Sequence, residues 1–180
     1  MDDDANRREG RPTRPPGWDY AGAYLITLVS REGARPFAWP VEGRMVLSEA
    51  GRVVGEEWQR LPGLVGGVRA GELAVMPNHL HGILYLQGGR GRKGRRSGRR
   101  PSDTALLGAA VARLKAAVTR RVNALDGTAG PIWRAGYRDL AVESAQELAT
   151  VRRLIRQDPE RWAEDVENPG RRVASARASR

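Results

Sequence analysis

"VMPNHLHGILYL", residues 75 to 86, holds His79 and His81, the only two histidines among 180 residues, inside an otherwise apolar run. In an extended strand, side chains at i and i+2 leave the same face, so the two imidazoles project side by side while Leu80 points the other way. A neutral imidazole pair on a stiff strand is a ready bidentate ligand for a divalent metal. Two ligands do not complete a site, and the same pair could be two solvated histidines on an open sheet face. The surrounding sequence has to decide.

Working outward, "GELAVMPNHLHGILYL" (71 to 86) reads as two strands reversing at Pro77-Asn78, with the histidines opening the second. "GAYLITLVS" (22 to 30) is β-branched and aromatic and predicts a first strand. Ser48 to Arg60 places Val53, Val54 and Trp58 at helical spacing, a short helix weakened by Gly51 and Gly55 and stopped by "LPG". Asp103 can cap a helix running to Leu125, with Leu107, Val111, Leu114, Val118, Val122 and Leu125 as its apolar stripe. "PIWRAGYRDLAVE" (131 to 143) predicts a further strand. "SAQE" (144 to 147) has capping-box spacing for a last helix ending near Asp158, because Pro159 disfavours helical angles in the residue before it. Strand, helix, two strands, helix, strand, helix is the order of an α+β fold: a ferredoxin-like antiparallel sheet, helices mainly on one face, His79 and His81 on the open one.

The length suits one domain with its own core. We expect it over 18–169, with residues 1–17 as a disordered arm and 170–180 as a basic mobile tail. No cysteine is present, which excludes a disulfide framework and thiolate zinc sites and fits a reducing cytoplasm. The longest apolar run, "AYLITLV", is too short for a membrane span, so no membrane partner is expected. The formal net charge of +10 points to a polyanion. Only Lys93 and Lys115 are lysines, so the charge itself is more informative than the choice of arginine. It concentrates in "GGRGRKGRRSGRR", where Arg90, Arg92, Lys93, Arg95, Arg96, Arg99 and Arg100 face no acidic neighbour. This glycine-rich flexible loop (88–102, inside the domain) suits contact with nucleic-acid phosphates, which reward charge without demanding fixed geometry.

Taken together, "GAYLITLVS", "VMPNHLHGILYL", "VARLKAAVTRRVN", "PIWRAGYRDL" and "VRRLIRQDPERWAEDVENP" resemble, in order and spacing, the REP-associated tyrosine transposases of the HUH single-strand DNA transposase family. The HUH motif, histidine-hydrophobe-histidine, corresponds to His79, Leu80 and His81. The resemblance implies that the histidine pair and a third ligand on the last helix hold Mg²⁺ or Mn²⁺. It also implies that a tyrosine one helical turn before that ligand attacks single-stranded hairpin DNA, leaving a 5′-phosphotyrosine. The family's Tyr-x-x-x-Asn-Pro pattern, anchored on Pro159, puts Asp158 at the ligand position, with Gln157 as the fallback, and Leu154 at the nucleophile position. The expected tyrosine is absent. Tyr137 is a weak substitute, and Leu140 stands where many relatives carry a histidine.

The reading is therefore a transposase-like, cytoplasmic or nucleoid-associated protein, monomer or homodimer. It binds hairpin DNA with a divalent metal and has lost the expected nucleophile. A non-catalytic, domesticated nucleic-acid-binding protein is the alternative, and a metal-dependent hydrolytic nickase a third.

Overall fold

The structure is a computed structural model that describes residues 22–32, 34, 36–42, 44–86 and 102–171. The expected arm, nearly all of the basic loop with its seven cations, and most of the tail lie outside the described residues. The elements are β1 (Gly22–Val29), β2 (Ala38–Val41), β3 (Arg44–Leu47), α1 (Glu49–Leu64), β4 (Val68–Val75), β5 (His79–Leu86), α2 (Asp103–Asp126), β6 (Arg138–Val142) and α3 (Ala145–Gln157), then a short 3₁₀ turn, Trp162–Glu164.

The four long-range strands form one antiparallel sheet in the order β4-β5-β1-β6. Leaving aside the separate β2-β3 hairpin, this is the split β-α-β order of a ferredoxin-like fold, with β5 and β1 as inner strands. Among the described residues no helix is long and apolar enough to cross a membrane.

The strand period of two divides the core. Leu80, Leu84 and Leu86 of β5 face α1 and α2, joining Ile26 and Leu28 of β1, Val53, Val54, Trp58 and Leu61 of α1, and Leu107, Val111, Leu114, Val118 and Val122 of α2. On the opposite face Ile83 and Tyr85 meet Val151 and Ile155 of α3. The face expected to be open is thus covered over its β4-β5 half by the last helix. Gly82 belongs to this arrangement: a Cβ there would lie 2.5 Å from the Trp58 ring, so the indole packs flat on the strand only because the position is bare. Glu57, buried at the α1-α2 junction, accepts hydrogen bonds from Arg121 (2.8 Å) and Arg60 (3.0 Å), which supply the pairing a buried carboxylate requires.

Several boundaries differ from expectation for local reasons. Helix α1 runs through Pro62 to Leu64. Proline deletes one N–H donor, and so near the helix end the next bond, Val65 N–H to Leu61 O, still forms. Ser102, rather than Asp103, caps α2, its hydroxyl accepting from the Ala105 N–H. Leu125 drops out of the stripe, half exposed beside the Gly127 stop. The strand expected over 131–143 is reduced to Arg138–Val142 plus an isolated bridge between Ser30 and Trp133.

Two glycines of α1, Gly51 and Gly55, should respond oppositely to substitution. Gly55 has open space where a Cβ would go, so Gly55→Ala should stabilise by about 1 kcal/mol through helix propensity alone. A Cβ at Gly51 would fall 1.9 Å from the Phe37 carbonyl oxygen, so Gly51→Ala should destabilise despite the same propensity gain. Thermal melts should show a rise of about 2 to 4 °C for the first and a fall for the second. A rise for both would refute the packing of α1 on Phe37.

Candidate metal centre

Strand β5 leaves the Pro77-Asn78 turn with His79 opposite Val29 and His81 opposite Thr27 of β1. The ring centroids lie 4.6 Å apart, edge to face. His79 is fully buried and His81 half-buried, because the chain following α3 folds over them. Trp162 brings its ring within 6.0 Å of His79, and Asp165 sets Oδ2 3.4 Å from His79 Nε2. The exposed sheet-face pair anticipated above is instead a covered one.

The outer hydrogen bonds orient both rings. Asn78 donates Nδ2–H to the Glu167 carbonyl at 2.7 Å, which turns its Oδ1 toward His79 Nδ1 at 3.0 Å. An amide oxygen can only accept, so His79 Nδ1 carries a proton and Nε2 is left facing Asp165. Nε2 is buried and makes no hydrogen bond. His81 Nδ1 lies 2.9 Å from Thr27 Oγ1, which can accept its proton and leave Nε2 as the ligand atom. Burial first, then the neighbouring His79, pull the His81 pKa down to about 4, so the ring is neutral near pH 7, as a metal ligand must be. Burial works against ionisation of Asp165, but the His79 imidazole, the Glu167 N–H at 2.7 Å and His81 hold its carboxyl below the usual range.

His79, His81 and Asp165 each offer a ligand atom, and all three lie within 4.8 Å of one another. Two imidazole nitrogens, among them a buried Nε2 without a hydrogen bond, brought together with one carboxylate oxygen suit a divalent cation. Asp158 is not in this group. It is half-buried at the end of α3, its N–H bonded to the Leu154 carbonyl, and its carboxyl is pushed up by burial and by the charge of Asp165. Gln157 is exposed. Sequence reasoning missed Asp165 because it sits on an irregular turn. The only signal was Asp165-x-Glu167 repeating the spacing of His79-x-His81.

Leu154 is 40% exposed, so it is not the core residue its neighbours Val151 and Ile155 are. Leu140, 53% exposed on β6, shares a cross-strand row with Leu25 and Ile83 on the histidine face. Tyr137 packs against the main core near Gly108 of α2, on the side of the sheet away from the histidines.

Comparison with known proteins bears on the fold. No family model matches the chain. An uncharacterized protein of Haemophilus influenzae is 25% identical over 151 residues, spanning 80% of this chain and 83% of that one. The structure of the REP-associated tyrosine transposase bound to a REP hairpin superposes with a TM-score of 0.54 at 12% identity, covering 83% of this chain and 73% of the other. The chain therefore has the fold of that transposase.

The depressed His81 pKa sets a pH dependence. Because the folded value, about 4, lies below the unfolded value near 6.5, the unfolded chain binds more protons between them. Metal-free protein should therefore lose stability as pH falls from 7 toward 4, and this contribution should be flat above about 6.5. Urea unfolding in EDTA across that range should show the loss, with a shallower dependence for His81→Gln. Identical pH profiles for the two proteins would rule out a buried neutral imidazole.

Proposed function

We propose that this chain is a transposase-type DNA-binding protein that takes single-stranded DNA folded into hairpins and holds Mg²⁺ or Mn²⁺ on His79, His81 and Asp165. The observation carrying the reading is the buried His79 Nε2, without a hydrogen-bond partner and aimed at a carboxylate oxygen, on a fold shared with a hairpin-bound transposase. Asp158 adds a second carboxylate, close enough to feel the charge of Asp165. The basic loop, Arg90 to Arg100, supplies phosphate contacts next in sequence to β5. Such a protein works in the cytoplasm at the nucleoid, as monomer or homodimer.

A bound divalent cation polarises a phosphate oxygen and stabilises charge developing on it. The chain's own residues prepare for that: Asn78 and Thr27 fix the imidazoles, and Trp162 shields one side of His79. At the position where the resemblance places the nucleophile, the chain offers none. Leucine at 154 has no atom that can attack phosphorus, and Tyr137 lies on the other side of the sheet. Hairpin binding without covalent strand transfer is the function this supports, which favours the domesticated, non-catalytic binder over an active transferase.

Calorimetric titration should show Mn²⁺ binding to the wild type, weakened about tenfold or more by His81→Ala and by Asp165→Ala. His79→Ala should also lower stability, since it empties a buried position. Equal Mn²⁺ binding by wild type and His81→Ala would overturn the site. With Mn²⁺ and a labelled hairpin oligonucleotide, wild type should form no protein-linked DNA on a denaturing gel. Leu154→Tyr should gain that band, because the position is exposed enough to accept a hydroxyl without burying it. A wild-type adduct, mapped by peptide mass, would refute the loss of the nucleophile.

A further inference from the structure

Two arginines stand in the same cross-strand rows as the two histidines. Arg138 of β6 is opposite Thr27, which is opposite His81. The Arg134 N–H donates to the carbonyl of Val29, which is opposite His79. In each row one strand, β1, separates arginine from imidazole, roughly 10 Å from backbone to backbone. That gap can be closed by an extended guanidinium and one phosphate.

The segment after α3 bridges the same two rows. Asp165 faces His79, and two residues on Glu167 receives Arg138 Nη2 at 2.6 Å, with Arg134 Nη1 at 3.6 Å. The Glu167 side chain is 6% exposed, whereas those of Arg138 and Arg134 are 61% and 51% exposed. One guanidinium is enough to neutralise this carboxylate. The second is nonetheless held in place: Lys115 Nζ donates to the carbonyls of Arg134 (2.7 Å) and Gly136 (2.6 Å), clamping the turn that carries it. A guanidinium has five donors, and these two turn most of theirs outward beside the candidate cation group.

We infer that Arg134 and Arg138 grip a phosphodiester of the bound DNA strand next to the cation site, with Glu167 as the positioning residue that pre-orders both guanidiniums. This rests on the proposed hairpin-binding function and adds to it the surface that seats the strand at the metal. The planar fork of arginine matches two phosphate oxygens at once, and guanidiniums already ordered lose little freedom on binding.

The test uses the full chain and a fluorescent hairpin oligonucleotide with a single-stranded extension, with affinity followed over a salt series. Arg134→Ala should weaken binding about tenfold, the effect of one charge-assisted hydrogen bond, and reduce the slope of log affinity against log salt by about 0.7. Its Mn²⁺ affinity should not change. Arg138→Ala combined with Glu167→Gln removes one positive and one negative charge. A purely diffuse electrostatic attraction would leave its DNA affinity and slope unaltered, whereas the grip predicts a loss in both. Should that double variant fail to fold, Arg134→Ala decides alone. Wild-type affinity and slope in the variants, alongside normal hairpin binding by the wild type, would overturn the grip and leave the proposed function standing. Failure of the wild type to bind any hairpin while still taking Mn²⁺ would overturn both.

Discussion

Because successive side chains of β5 leave opposite faces, its pairing with β1, Leu80 to Leu28 and His81 to Thr27, settles both the core and the site at once. A slip of one residue would drive the histidines into the layer shared with α1 and α2 and push Leu80 and Leu84 toward α3. Neither face could absorb that. The Trp58 ring has room only where Gly82 lies beneath it, and on the other side Asp165 would meet a leucine. The strand is an inner one with packed side chains above and below, so its register is held by two cores rather than one.

Polar burial on the α3 face is balanced through a short chain of contacts. Asn78 links the His79 ring to the Glu167 carbonyl, the Glu167 N–H bonds to the Asp165 carboxylate, and the Glu167 carboxylate bonds to Arg138. The segment that delivers Asp165 is thus tied to the turn before β5 and to β6. Truncating any one partner would leave another buried group unpaired, and that penalty generally exceeds the net worth of the bond removed. One place where this set of contacts is not closed is His79 Nε2. Glu167 Oε2 is the other buried atom of this set without a hydrogen bond, with Arg134 Nη1 3.6 Å away, so the two open valences lie at the candidate cation group and at the arginines beside it.

What could be read from the sequence was what periodicity encodes. Val111, Leu114, Val118 and Val122 give α2 at helical spacing, and His79-x-His81-x-Ile83-x-Tyr85 gives one face of β5; both are local patterns. The β2-β3 hairpin was not visible, since Pro40 interrupts it and Trp39 and Val46, half exposed and opposite one another, follow no buried alternation. Asp165 escaped for a different reason: its role depends on where the chain goes after α3, and the turns around Trp162 carry no period. The family pattern anchored on Pro159 points to Asp158, which the fold does bring near, but the group whose ligand atoms lie together takes Asp165, beyond Glu160 and Glu164 in the chain. The burial of His79 was likewise unreadable, because the residues covering it are far away in sequence.

The two leucines at positions where the resemblance expects polar side chains bear on how the site should be viewed. Leu154 and Leu140 are both substantially exposed, so neither substitution gained the packing that burying a leucine contributes, roughly 1.5 to 3 kcal/mol. Stability therefore does not account for them. A structural account would also require the histidine pair to have decayed toward ordinary core residues, yet His79 and His81 keep oriented nitrogens and specific partners in Asn78 and Thr27. On the proposed reading, a leucine at the nucleophile position beside oriented imidazoles and flanking arginines is the pattern of a surface used for binding rather than for strand transfer. Selection for hairpin recognition alone would preserve the oriented imidazoles and the guanidiniums beside them while leaving position 154 free to change.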